Sequence, residues 1–163
     1  MKHIDYKKIL SHAALILGAL VVIAGLMMWV RSEEAYARDA QRMGDVIDIK
    51  LGLYRYYLRH AAYPSSATSV LLGGPDADCL GDKGFVSRKG LDCSGRPYLS
   101  PVPASLGLTD QDVYTYTPLG ADSDTICDSA TGCPRYGILF YFETNVFAKK
   151  GFHVLTPEGL QTL

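Results

Sequence analysis

Proline is absent before Pro64, and cysteine is absent before Cys79. The first absence removes the sharpest helix breaker from the leading third of the chain. The second puts every thiol in the later part. Charge of one sign is also lacking. Sixteen Lys and Arg face seventeen Asp and Glu, for a net charge of -1. A nucleic-acid partner wants a basic stripe or patch, so none is expected. Motifs that carry chemistry are missing as well. There is no Gly-x-Ser-x-Gly, phosphate loop, His-Glu-x-x-His or dinucleotide fingerprint. His3, His12, His60 and His153 are scattered, with no spacing that suits a metal or acid–base pair. No enzymatic activity is expected, and no catalytic residue is assigned.

What the leading third does contain is a long apolar run. Ala13 to Val30 carries no charged or strongly polar side chain. With Ile9 and Leu10 in front it is long enough to cross a hydrocarbon core of about 30 Å. Trp29 stands at its far end, where aromatic residues collect at membrane interfaces. Gly18 and Gly25, with Ala13 and Ala19, put small residues along the span and allow helices to approach. Lys2, Lys7 and Lys8 precede the run, while Arg31, Glu33 and Glu34 follow it. The positive-inside rule then places the N-terminus in the cytoplasm and the remainder outside. A competing reading is a cleaved signal ending at Ala35-Tyr36-Ala37, against which stand the length of the run and the charges after it.

The four cysteines, Cys79, Cys93, Cys127 and Cys133, all fall beyond the span. An even count in a small loop-rich extracytoplasmic region reads as two disulfides. Of three possible pairings, short loops favour Cys79 with Cys93 and Cys127 with Cys133. Four free thiols are the alternative. Zinc is disfavoured because structural sites use cysteines about two to four residues apart.

After the span the chain has helical period to about His60. Met43, Ile47, Leu51, Tyr54 and Leu58 recur at three- and four-residue steps and are expected to form the face that packs on a sheet. Val46, Leu53 and Tyr57 widen that face. Arg38, Arg42, Asp45, Asp48, Arg55 and Arg59 are expected on the solvated side, with Arg42 and Asp45 as a surface pair. Tyr63-Pro64 ends the helix. Residues 67–72 read as a short helix or turn, and residues 73–112, rich in Gly, Pro, Asp and Ser, as loop. Strands are expected at Val113–Thr117, Tyr136–Glu143 and Gly151–Thr156, with a disulfide-closed loop from Cys127 to Cys133. The fold class is therefore α+β, one long helix packed on a small antiparallel sheet of about three to four strands. Its segments are a cytoplasmic tail (1–8), a transmembrane helix (9–30), an amphipathic continuation (31–62) and an extracytoplasmic region (63–163).

In order and spacing these pieces resemble the type IV pilin and type II secretion pseudopilin superfamily. The resemblance rests on four features. A membrane helix runs unbroken into a soluble one. The run Ala37 to Arg42 leads through Asp45 and Val46 to Leu53 and Tyr54. Tyr63-Pro64 closes the helix. Val113 to Pro118 is followed by a Cys-bounded loop and a strand ending on Glu143. The resemblance implies a pilin-like fold and a structural subunit of a pilus or secretion apparatus. It also implies the bacterial cytoplasmic membrane as location and other pilin-like subunits as partners. The family's peptidase motif is lacking, since Lys7-Lys8-Ile9-Leu10 stands in its place and no glycine precedes Gly18. A subunit left in the membrane is the simpler expectation. Some members bind calcium before the last strand, and Asp122, Asp124 and Asp128 offer oxygen ligands of that kind; otherwise no cofactor is expected. The alternative function is a membrane-anchored binding or adhesion module whose ligand surface is the stapled loops.

Overall fold

With no proline to interrupt it, α1 runs from Tyr6 to His60 as a single helix of 55 residues. The computed structural model describes residues 6–105, 113–122, 125–129 and 131–163, apart from the side chains of residues 6–9, 11, 13, 14 and 91. Two compact units divide the chain, Met1–Ala37 and Arg38–Leu163.

Among its described residues the first unit is helix. Its apolar residues from Leu15 to Val30 are exposed on every side, Trp29 among them. Nothing lies within 4 Å of where a side chain on Gly18 or Gly25 would begin. The helix is long and apolar enough to cross a membrane. An apolar helix unburied among the described residues is of the kind a bilayer can accommodate.

In the second unit the helix lies on an antiparallel sheet. Among the described residues seven strands follow it: β1 (Val70–Leu71), β2 (Cys79–Gly81), β3 (Gly84–Val86), β4 (Thr115–Leu119), β5 (Arg135–Phe142), β6 (Gly151–Leu155) and β7 (Leu160–Thr162). Five form one sheet in the order β1-β4-β5-β6-β7, and β2 pairs with β3 as a separate hairpin. The α+β class is as expected, and β5 and β6 fall where alternation placed them. β4 begins two residues later than expected and includes Pro118, which sits opposite Tyr136. β1 reaches only Thr115 and Tyr116 of β4, so Pro118 leaves no ladder bond unmade on that side. β1 replaces the expected helix or turn at residues 67–72. β2, β3 and a 3-10 turn at Leu91–Cys93 lie inside the stretch expected to be loop.

Strand alternation builds the core. Tyr136, Ile138, Phe140 and Phe142 of β5 point inward, with Tyr114 and Tyr116 beside them. They meet Val46, Ile49, Leu53 and Tyr56 of α1, all buried. The helix face is therefore not the one the apolar spacing suggested. Ile47, Leu51, Tyr54 and Leu58 are exposed, by 46%, 47%, 54% and 67%; of the five expected core positions only Met43 packs against the core, partly buried. Both sets recur at three- and four-residue steps, so period alone does not choose between them. Charged residues one and two turns nearer the apolar span make the choice.

The helix stops at His60, before Pro64. Ala61 takes a left-handed conformation (φ 55°) and its N–H donates to the Tyr57 carbonyl at 2.8 Å. The chain then turns back, and Tyr63 exchanges two backbone hydrogen bonds with Cys133, at 2.8 and 2.9 Å.

Candidate functional site

Two features of α1 stand out: an ion cluster buried on one side and an apolar stripe exposed on the other. The cluster sets the position of the stripe.

Arg38, Asp39 and Arg42 lie on the face that continues Val46, Ile49 and Leu53 by the same three- and four-residue steps. Asp39 is fully buried and Arg42 nearly so. A buried carboxylate requires several donors, and Asp39 has them. Its Oδ1 accepts from Arg42 Nη1 at 2.8 Å and from the Glu143 backbone N–H at 2.9 Å. Its Oδ2 accepts from the N–H and the hydroxyl of Thr144, both at 2.7 Å. Glu143 in turn accepts from Arg42 Nη2 at 2.6 Å and from both Nε and Nη2 of Arg38, at 2.9 and 2.6 Å. The Arg38 hydrogen bonds, joined by those of Arg42, hold the Glu143 carboxyl down at about 2. The end of β5 is thus tied to the first turns of the helix in this unit. Arg42 was expected on the solvated side beside Asp45; instead it is buried against Asp39 and Glu143. Asp45 accepts from the Tyr114 hydroxyl at 2.8 Å, and burial raises its pKa despite that bond. Extending the buried heptad backward from Val46 lands on Arg42 and Asp39. That is the signal in the sequence, and it is masked by the usual rule that charges face water.

With that face committed inward, Ile47, Leu51, Tyr54 and Leu58 face outward, about 140° around the helix at 100° per residue. A groove of about 280 Å³ runs along the first three, lined by Ile47, Lys50, Leu51, Tyr54, Tyr63, Tyr136 and Pro157. Scattered exposed apolar residues are ordinary; these four stand at consecutive three- and four-residue steps along one side of the helix. A second groove of about 520 Å³ lies on the outer face of the sheet, among Thr117, Leu119, Gly137, Leu139, Val154 and Gln161.

Cys79 pairs with Cys93 and Cys127 with Cys133, as loop length favoured. Both stapled loops are fastened to the end of α1. Tyr98 donates to Asp82 Oδ1 at 2.7 Å, and His60 Nε2 lies 3.1 Å from the Tyr98 hydroxyl. The His60 ring also stacks on Tyr56 at 4.2 Å between centroids. Burial and the Asp82 carboxylate push the Tyr98 phenol up to about 12, so it remains a donor. Close approach is needed in both places. A side chain on Gly52 would begin 2.8 Å from Leu99 Cβ, and one on Gly132 2.6 Å from Ala62 Cβ. Gly132 also has φ +86°, which other residues rarely adopt. Asp82 in the first stapled loop, and Gly132 and Cys133 in the second, are therefore struts of the fold.

Of the calcium candidates, Asp122 and Asp128 lie among the described residues. Asp122 Oδ1 accepts from the Thr125 hydroxyl at 2.9 Å and its N–H at 3.4 Å, an ordinary Asx turn. Asp128 is exposed, and Asp124 lies outside the described residues. Among the described residues no three His, Cys, Asp or Glu side chains group as metal ligands would. His153 is buried, with Nε2 donating to the Lys149 carbonyl at 2.5 Å, and sits between Phe140 and Phe142.

No family model, curated protein or solved structure matches this chain.

Proposed function

We propose that the protein is a membrane-anchored, pilin-like structural subunit that associates with other such subunits through α1. The observation that carries this reading is the exposed stripe Ile47, Leu51, Tyr54 and Leu58. A domain with buried aromatic residues to spare has no folding reason to leave four large apolar side chains on the surface of its principal helix. Association along the helix removes them from water, at about 25 cal/mol per Å² of apolar area. The order of apolar span, amphipathic helix, helix closure and final strand supports the pilin-like reading. The lysines before the span support an N-terminus in the cytoplasm and the domain outside it, where disulfides persist. The role is structural, acting by packing rather than by chemistry.

All four native cysteines are paired, so Leu58→Cys adds a single reactive thiol on the stripe. Mild oxidation of membranes carrying this variant is expected to give covalent dimers. Adding Leu51→Asp and Tyr54→Asp should abolish them while the domain stays folded. Monomer alone from thiols at 47, 51 and 58 would sink the proposal.

A further inference from the structure

The connection from β5 to β6, Thr144-Asn145-Val146-Phe147-Ala148-Lys149-Lys150, combines exposure with order. Val146 is 60% exposed and Phe147 37% exposed, and Phe152 just beyond is exposed to the same extent. Lys149 and Lys150 are exposed too, and no acidic residue lies between Thr144 and Gly151. A loop free to rearrange would turn its apolar side chains inward, but this one is held. Asn145 Oδ1 accepts from the Lys150 N–H at 2.7 Å. The Val146 N–H donates to the Thr144 hydroxyl at 3.4 Å. The Lys149 carbonyl accepts from buried His153, and Ala148 packs against the core. The Phe147 ring lies 6.0 Å from that of Phe142, while Phe152 meets Tyr141 edge-on at 5.2 Å. The scaffold therefore presents two apolar tips followed by two cations in a fixed form.

Its attachment point says what it can reach. Thr144 is bonded through both its N–H and its hydroxyl to Asp39, and the neighbouring Glu143 to Arg38. Asp39 is nine residues after Val30, the last residue of the apolar run. That length of chain spans at most about 30 Å however it is arranged. The headgroup layer above a hydrocarbon core is thus within the loop's tether. An apolar tip beside adjacent lysines is the chemistry that enters such a layer, the ring at the acyl boundary and the ammonium groups at phosphates.

We propose that the Thr144–Lys150 loop seats on the anionic surface of the bilayer that holds α1, with Val146 and Phe147 inserted and Lys149 and Lys150 on lipid phosphates. This rests on the anchor reading above. Seating ties the domain to the membrane at a second point and restricts the orientations in which it offers its helix stripe to a neighbour. Each lysine in contact favours the seated state about fivefold.

The test reconstitutes the full chain in phosphatidylcholine vesicles, with and without phosphatidylglycerol, using brominated acyl chains as quenchers. Trp29, the sole tryptophan, reports whether the anchor is inserted. A fluorophore on Val146→Cys reports the loop. One on Lys83→Cys, at the β2–β3 turn beside the far end of the helix, is the control. In anionic vesicles Trp29 and the position-146 probe should be quenched, and the position-83 probe should not. Lys149→Glu with Lys150→Glu should lower the loop's preference for the surface by at least about 25-fold, returning its quenching to the control level. If Trp29 is quenched while positions 146 and 83 behave alike, the loop proposal is overturned and the anchor stands. Quenching at 146 that ignores both the lysines and phosphatidylglycerol overturns the assignment to anionic lipid. An unquenched Trp29 overturns the anchor reading and the loop proposal together.

Discussion

Two faces of one helix divide the work in an unexpected way. One face carries buried Asp39 and Arg42, with Arg38 half-buried beside them; the other carries Ile47, Leu51, Tyr54 and Leu58 and is exposed. Judged by polarity alone, the faces would be exchanged. The inward face is stable because every buried charge has geometry to match: Asp39 accepts four hydrogen bonds, and the Glu143 carboxylate bridges two guanidinium groups. Buried ion pairs add little net stability over apolar packing, yet breaking one is costly. That asymmetry makes them good at specifying which way a helix faces. The outward face contributes little to the domain and remains free to contribute to something else.

The contrast can be broken from either side. The largest effect is expected from Asp39→Ala, which takes from buried Arg42 one of its carboxylate partners and strands two backbone N–H groups. A loss of about 3–5 kcal/mol should appear as a lower urea midpoint for the domain. Leu53→Ala, on the buried face two residues from Leu51, should cost about 2–5 kcal/mol in the same measurement. A pH series sharpens the role of the cluster. The Glu143 pKa is depressed to about 2, so its stabilisation is complete above the ordinary carboxylate pKa and is lost as pH falls toward 2. After allowance for solvent screening about 1–2 kcal/mol is at stake. Glu143→Gln should flatten that part of the acid limb. The smallest effect on the domain belongs to Leu51→Ala, within about 0.5 kcal/mol, although the same change should weaken helix association. If Leu51→Ala destabilises the domain as much as Leu53→Ala, the division between the faces is wrong.

How far these features are legible before folding differs by element. The apolar run and strands β5 and β6 stand out because their patterns are long. Cysteine pairing follows loop length, and short loops close in both cases. The hairpin β2–β3 and strands β1 and β7 are two or three residues each, too short for alternation to show, and lie among turn residues. The helix face is ambiguous because Val46, Ile49 and Leu53 on one side and Ile47, Leu51 and Tyr54 on the other satisfy the same period. What decides between them is a contact between residues 39 and 143, and no local pattern encodes a partner so distant. Glu143 is visible as the acidic end of a strand, but its bonds to Arg38 and Arg42 are not.

The spacing of the attachments has a mechanical consequence. Asp39 holds the end of β5 at Glu143, and Tyr63, just past the end of α1, holds its start at Cys133. Asp39 to His60 measures about 32 Å along a helix, and Cys133 to Glu143 about 33 Å along a strand. Helix and strand are two rods of equal length, riveted at both ends and running in opposite directions. A pull along α1 loads both rivets together, in shear, and does not peel one before the other. The Cys127–Cys133 bond closes the loop that carries the Cys133 rivet. A domain drawn on by its helix would therefore pass tension into its sheet.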